Sequence, residues 1–210
     1  SIKPSHIGLD ISENLFLENL QLLIDKVMKC KNFLRLDMES SLITDTTISA
    51  YTLALNRTDR VGTVFQAYLF RTLDDIKNLQ KSHLNFRLCK GIYKESKDIS
   101  IQDRKYINEN YLKILRYAFI ANNYVGIATH DIDLLKDIYA LIKELKVPVN
   151  QFEFQVLYGV PMSGWLEKHL ANGYKVRVYV PFGPDWYDYS IRRLKENPNI
   201  AGYIIKNLFK

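Results

Sequence analysis

Short apolar runs in this chain repeatedly end on a side chain that can titrate or hydrogen-bond. Lys3 closes the first fragment, Asp37 and Glu39 close the next run, and Gln66 closes the third. Arg87 and Lys90 sit in the fourth, Thr129 and His130 end the fifth, Gln155 and Tyr158 end the sixth, and Tyr179 ends the seventh. In parallel α/β folds the C-terminal ends of the strands are where active sites are built. A buried charge without a partner is costly, so Asp37, Arg87 and Lys90 must pair or meet a ligand. Two chemistries are open to such a set. The cations can hold an anionic group, or Lys90 can serve with Asp37 as a Schiff-base lysine in an aldolase or hydrolase, given a desolvated pocket.

Taken singly, each residue also has a plainer role. Asp37 fits a structural ion pair with Arg35 or with Arg87. His130 fits a hydrogen-bonded structural histidine. The chain has four histidines and no H-E-x-x-H, so no metal site is expected. Cys89 reads as a small core residue and Ser40-Ser41 as a turn or helix cap. Trp186, Tyr187 and Tyr189 near a helix start fit packing as well as lining. Adjacent Arg192 and Arg193 point about 100° apart on a helix. They fit a solvated face partly neutralised by Glu196, or convergence on one anion.

The elements that must position these residues follow from hydrophobic spacing. Strands are expected at 33–38, 61–67, 84–91, 124–129, 152–157 and 175–181, with residues 1–3 as the tail of another. Helices are expected at 13–31, 45–56, 73–81, 102–122, 132–145, 162–171 and 185–196. Ser12 and Thr72 are expected to cap helix starts, Pro161 to sit in a first helical turn, and Asn172-Gly173 to close a helix. Strands alternating with helices require crossovers and a parallel sheet. Two architectures remain: an open doubly wound sheet, or a closed eight-stranded barrel lacking its first unit. No G-x-G-x-x-G follows a strand, which weighs against a dinucleotide-binding fold. No linker or repeat divides residues 1–210, so a single domain is expected.

Composition narrows the partners. Lys and Arg number 29 against 23 Asp and Glu, a net charge of +6, with no block of five like charges. That excess selects no ligand by itself. A basic nucleic-acid-binding domain lacks support here, without a basic arm, a helix-turn-helix signature or an aromatic-basic ladder. Two distant cysteines fit a reduced, cytoplasmic setting. No run of 18 apolar residues exists. The apolar tail 200–210 fits a closing helix packed on the domain, or peripheral attachment to lipid.

Several segments together resemble the proline dehydrogenase family, the FAD enzymes that open proline catabolism, in its monofunctional bacterial type. FRLCKGIY at 86–93 is similar to that family's R-L-V-K-G-A-Y. ATHD at 128–131, FEFQVLYG at 152–159, VYVPFG at 178–183 and YSIRRLKE at 189–196 resemble four further family segments. Stretches at 1–5, 36–39 and 65–68 match as well, all in family order.

The resemblance implies an α/β fold of the (β/α)8, TIM-like barrel type. Residues 1–3 then look like the end of the second strand, so the first strand and helix are expected to be missing. Such a segment alone is expected to hold FAD weakly, through its open edge. The implied activity is oxidation of L-proline to 1-pyrroline-5-carboxylate, with hydride passing to flavin N5 and electrons to a quinone. Asp37 and Arg87 are the implied active-site pair. Met38, Gln66, Arg87, Lys90, Gly91, Ile92, Thr129, His130 and Gln155 are implied FAD contacts. Lys3, Arg192 and Arg193 are implied to hold the proline carboxylate, with Leu157, Tyr179 and Tyr189 lining the ring. A cytoplasmic enzyme is implied, with or without peripheral contact at the membrane. Two departures stand out: Lys94 follows Tyr93 where Trp is common, and Asp131 stands where Asn is common.

Overall fold

The computed structural model describes residues 1–79 and 83–180. The chain divides into two compact units, Ser1–Phe152 and Glu153–Lys210.

In the first unit, strands β1 (Leu34–Arg35), β2 (Val61–Gln66), β3 (Asn85–Cys89) and β4 (Tyr124–Ala128) alternate with helices. The helices are α1 (Glu13–Lys29), α2 (Thr44–Leu55), α3 (Thr72–Asn78), α4 (Arg104–Ile120) and α5 (Ile132–Leu145). The strands pair in parallel in chain order, with Arg35 opposite Gly62, Val64 opposite Arg87 and Arg87 opposite Gly126. Every residue of β2 is buried, the pattern of a strand covered on both faces. The fragment at the front joins this sheet: Ile2 bridges Leu36 in parallel. Its amide donates to the Arg35 carbonyl at 2.9 Å, and its carbonyl accepts from the Asp37 amide at 2.8 Å.

Helix positions follow from local chemistry. In α1 the buried residues Phe16, Leu20 and Ile24 recur every four positions, one stripe of a helix. The Ser12 hydroxyl accepts from the Leu15 amide at 3.2 Å, as expected of that cap. Asp131 caps α5, accepting from the amides of Asp133 and Leu134. Buried Phe65 and Phe86 meet edge to face, with centroids 5.2 Å apart; each such burial is worth about 1.5–3 kcal/mol.

The second unit carries β5 (Phe152–Leu157), α6 (Trp165–Ala171) and β6 (Val176–Tyr179), with β5 and β6 parallel and Gln155 opposite Arg177. Asn172 and Gly173 close α6, with Gly173 at φ +72°. Buried His169 stacks on Phe154 at 3.8 Å between ring centroids.

Three local expectations change. The first full strand, expected over 33–38, forms a ladder only at Leu34–Arg35, so Asp37 lies beyond its end. Thr72 is the first residue of α3 rather than its cap, and its hydroxyl donates instead to the Gln66 carbonyl at 2.6 Å. Pro161 lies ahead of α6, because Gly164 at φ +83° takes the cap position. The expected helix at 185–196 and the tail 200–210 lie outside the described residues.

Candidate functional site

Asp37, Lys90, Thr129 and His130 lie just beyond the C-terminal ends of β1, β3 and β4, Gln66 ends β2, and Arg87 sits in the middle of β3. The Arg87 guanidinium donates to the Asp37 carboxylate at 2.8 Å, and both side chains are 14% exposed. Of the two partners open to Asp37, Arg87 is therefore the one it takes. Arg35 turns elsewhere, donating to the Thr63 carbonyl at 2.8 Å and to Asn85 Oδ1 at 2.7 Å. Arg87 also donates to the Ser1 hydroxyl at 2.9 Å.

Lys3 lies 3.8 Å from the Glu39 carboxylate and 3.5 Å from the Tyr93 hydroxyl. Glu39 accepts from the Ser5 amide at 3.0 Å and the Ser5 hydroxyl at 2.9 Å, so its carboxylate is held from two sides. Its carbonyl accepts from the buried Gln66 side chain at 2.9 Å. Gln66 thus ties the segment after β1 to the end of β2. Met38 beside Asp37 is buried.

Lys90, just past β3, pairs with Asp131 at the start of α5. Asp131 also accepts from the Arg104 guanidinium at 2.9 Å and from the Asn108 amide at 3.2 Å. Burial alone would raise the Asp131 carboxyl, but these three donors outweigh it and hold it below the usual carboxylate range. Burial pushes the Lys90 ammonium down, against the opposing pull of Asp131. The charge that Asp131 adds relative to Asn is thus taken up by two cations. Gly91 follows at φ +109°, and a Cβ there would come within 2.2 Å of the Tyr68 ring. Only glycine lets the chain leave β3 flat against that ring. Ile92 is 64% exposed beyond it. At the end of β4, the buried Thr129 hydroxyl accepts from the Asp131 amide at 3.1 Å, and His130 is half-buried beside it.

In the second unit, Gln155 donates to Glu153 at 2.8 Å. Leu157 and Tyr179 stand opposite one another at the ends of β5 and β6. Glu153 is fully buried and also meets Arg177 at 2.6 Å and Lys175 at 3.3 Å. Sequence reading missed this cluster, although a glutamate inside an apolar strand is its visible signal. It also missed Arg104 and Asn108, which sit on α4 far from any strand end. Tyr189, Arg192 and Arg193 lie outside the described residues. Among the described residues, no group of three or more His, Cys, Asp or Glu side chains converges to hold a metal.

A parallel β/α fold with an arginine–carboxylate pair toward the C-terminal side of its strands and a second cation cluster past β3 defines the class: an enzyme-type site on a barrel-type scaffold. Comparison with known proteins carries this further. The family model described as proline dehydrogenase matches residues 1–204. The chain is 37% identical to proline dehydrogenase 1 of Bacillus subtilis subsp. natto over 211 residues, covering 100% of this chain and 69% of the relative. It is 35% identical to the proline dehydrogenase of Deinococcus radiodurans over 216 residues, again covering 100% of this chain and 69% of the relative. Among solved structures it is similar to proline utilization A of Bdellovibrio bacteriovorus inactivated by N-propargylglycine, with a TM-score of 0.82 at 24% identity. That likeness covers 93% of this chain and 24% of the larger protein. A proline utilization A mutant from Bradyrhizobium japonicum has a TM-score of 0.76 at 21% identity, covering 94% of this chain and 23% of its own. These two structures bear out the TIM-like α/β class. The chain belongs to the proline dehydrogenase family.

Proposed function

We propose that this protein oxidises L-proline to 1-pyrroline-5-carboxylate with bound FAD and passes the electrons to a quinone. The observation that carries the reading is the Asp37–Arg87 pair, formed between the segment just past β1 and the middle of β3, in a chain of this family.

The residues present fit FAD by the chemistry of their donors. Arg87 offers its guanidinium, Gln66 at the end of β2 and Thr129 just past β4 offer polar atoms, and Met38, Gly91, Ile92 and His130 follow β1, β3 and β4. Lys90 and Arg104 together exceed the one carboxylate between them, so a net positive charge is left for phosphate groups. FAD, when bound, supplies the acceptor for the hydride. The rest falls to side chains: binding, orienting and excluding water.

Proline is small, so its carboxylate is the strongest handle. Lys3 is the described cation for it, joined in this reading by Arg192 and Arg193. Several cations on one carboxylate orient the ring firmly. Leu157, Tyr179, Tyr189 and Gln155 complete the lining. Loss of hydride from C5 and of the proton from nitrogen gives the cyclic imine, so the amine must enter neutral. The rate is therefore expected to climb from pH 6 to 9, and a flat profile would contradict this step.

An ultraviolet-visible spectrum of the purified protein supplied with FAD, taken before and after anaerobic L-proline, tests the reading. Flavin bands that persist after proline defeat it. A lysine-dependent aldolase is separated by the same spectrum, because it needs no flavin. No helix among the described residues is long and apolar enough to cross a membrane. Quinone reduction then calls for peripheral contact with lipid from the cytoplasmic side, and liposome co-sedimentation with and without residues 200–210 measures it.

A further inference from the structure

Below the Asp37–Arg87 pair the sheet carries a second polar rung. Along β1 and its flanks, Phe33, Arg35 and Asp37 alternate onto one face; on β3, Asn85 and Arg87 do the same. Each rung joins β1 to β3 across the strand between them. In the upper rung an acid after β1 meets a cation on β3. In the lower rung a cation on β1 meets an amide oxygen on β3, at 2.7 Å.

The lower rung is built for this crossing. Arg35 is 6% exposed and lies opposite Gly62 in the β1–β2 register. A Cβ on Gly62 would fall 2.8 Å from the Arg35 guanidinium and 2.6 Å from the Asn85 carbonyl. The missing side chain is the passage through which the guanidinium reaches β3. The Phe33 ring lies under it, 5.2 Å from centroid to guanidinium carbon. The same guanidinium donates to the Thr63 carbonyl of β2 at 2.8 Å, so one side chain grips both β2 and β3. The Asn85 carbonyl in turn accepts from the Tyr51 hydroxyl of α2 at 3.3 Å.

That grip matters because β1 has only two ladder residues, and Asp37 sits two positions past Arg35. The Asp37 carboxylate must meet an arginine two strands away, and a slip of β1 by one residue would turn it to the other face. We propose that Arg35, Gly62 and Asn85 form a positioning rung that sets the Asp37–Arg87 geometry for catalysis. All three act through the pair and are positioning residues. The catalytic part of the inference rests on the proline-oxidation reading; the geometric part does not.

The test combines side-chain nitrogen NMR of the arginine Nε–H groups with kinetics. The Arg87 resonance is assigned by its loss in Arg87→Lys and is read without FAD or proline. In Asn85→Ala this resonance moves, kcat for proline falls about tenfold, and KM stays within about threefold, because small misplacements act on the chemical step. Asn85→Asp keeps an acceptor for the guanidinium and returns kcat to within about threefold of the parent. Gly62→Ala, whose Cβ would press on the guanidinium and on the Asn85 carbonyl together, is expected to move the Arg87 resonance as well. Should Asn85→Ala fail to fold, Asn85→Ser carries the same comparison. An unmoved Arg87 resonance, or equal kcat losses in Asn85→Ala and Asn85→Asp, overturns the rung. A parent protein whose flavin ignores proline overturns the functional reading alone, and the NMR comparison still decides the rung.

Discussion

Arg87 and Asp37 are fifty residues apart in sequence, and the sheet sets them 2.8 Å apart with little exposure to solvent. Neither charge is stable there alone, so removing one strands the other. Arg87→Met and Asp37→Ala should each lower kcat/KM for proline by about 10²-fold or more, the scale for losing a placed electrostatic group. Arg87→Lys should not recover it, because an ammonium lacks the planar fork. Rates of anaerobic flavin bleaching measure the loss, and a variant that bleaches at the parental rate would remove the pair from the mechanism.

Asp131 joins β3, α4 and α5 through Lys90, Arg104 and Asn108. Asn is a good helix cap, so Asp131→Asn removes the charge and leaves the cap. Its cost is expected at about 1–3 kcal/mol, mostly from the half-buried Lys90, since Arg104 is 76% exposed and contributes little. The Asp131 carboxyl lies below its ordinary value of 3.8 in the folded protein. Its stabilising contribution is thus complete above that value and fades as pH falls below it. Urea unfolding at pH 7 and pH 3 should show a smaller difference between parent and variant at pH 3.

His169 carries a second pH dependence of a different origin. Burial, helped by the neighbouring Lys168 charge, pushes the imidazole down from 6.5 to about 4. Between those values the unfolded chain binds a proton that the folded one does not. Stability is therefore complete above pH 6.5 and declines as pH falls toward 4, by up to about 3 kcal/mol. His169→Leu should flatten melting temperature against pH across that window. A parallel slope in both proteins would place the dependence elsewhere.

Tyr179 stands opposite Leu157 at the end of β6, where a lining residue for the proline ring belongs in the proposed reading. A hydroxyl on the ring would crowd a tyrosine there, so proline should be preferred to 4-hydroxyproline. Tyr179→Ala should raise hydroxyproline turnover relative to proline by about 10-fold, the usual scale for relieving one small group. Equal turnover of both substrates by the parent protein would sink the assignment.

Much of this is legible in the sequence. Residues 132–145 and 152–157 are a helix and a strand at the bounds their spacing predicts, because a strong apolar period and a cap are local properties. Gln66 at the end of β2, Asp37 and Lys90 just past β1 and β3, and Arg87 within β3 were equally visible, since polar residues that interrupt apolar runs need no tertiary knowledge to notice. Partner choice was not legible. Arg35 and Arg87 were equal candidates for Asp37 until the β1–β2–β3 register put one across from it and the other beneath it. Asp131 gained its second cation and its amide donor from α4. The sequence by itself determined which residues carry charge and which segments are helix or strand, for these depend on neighbours a few positions away. The tertiary structure alone decided which charges meet, because ion pairing depends on distances between strands that no local pattern records.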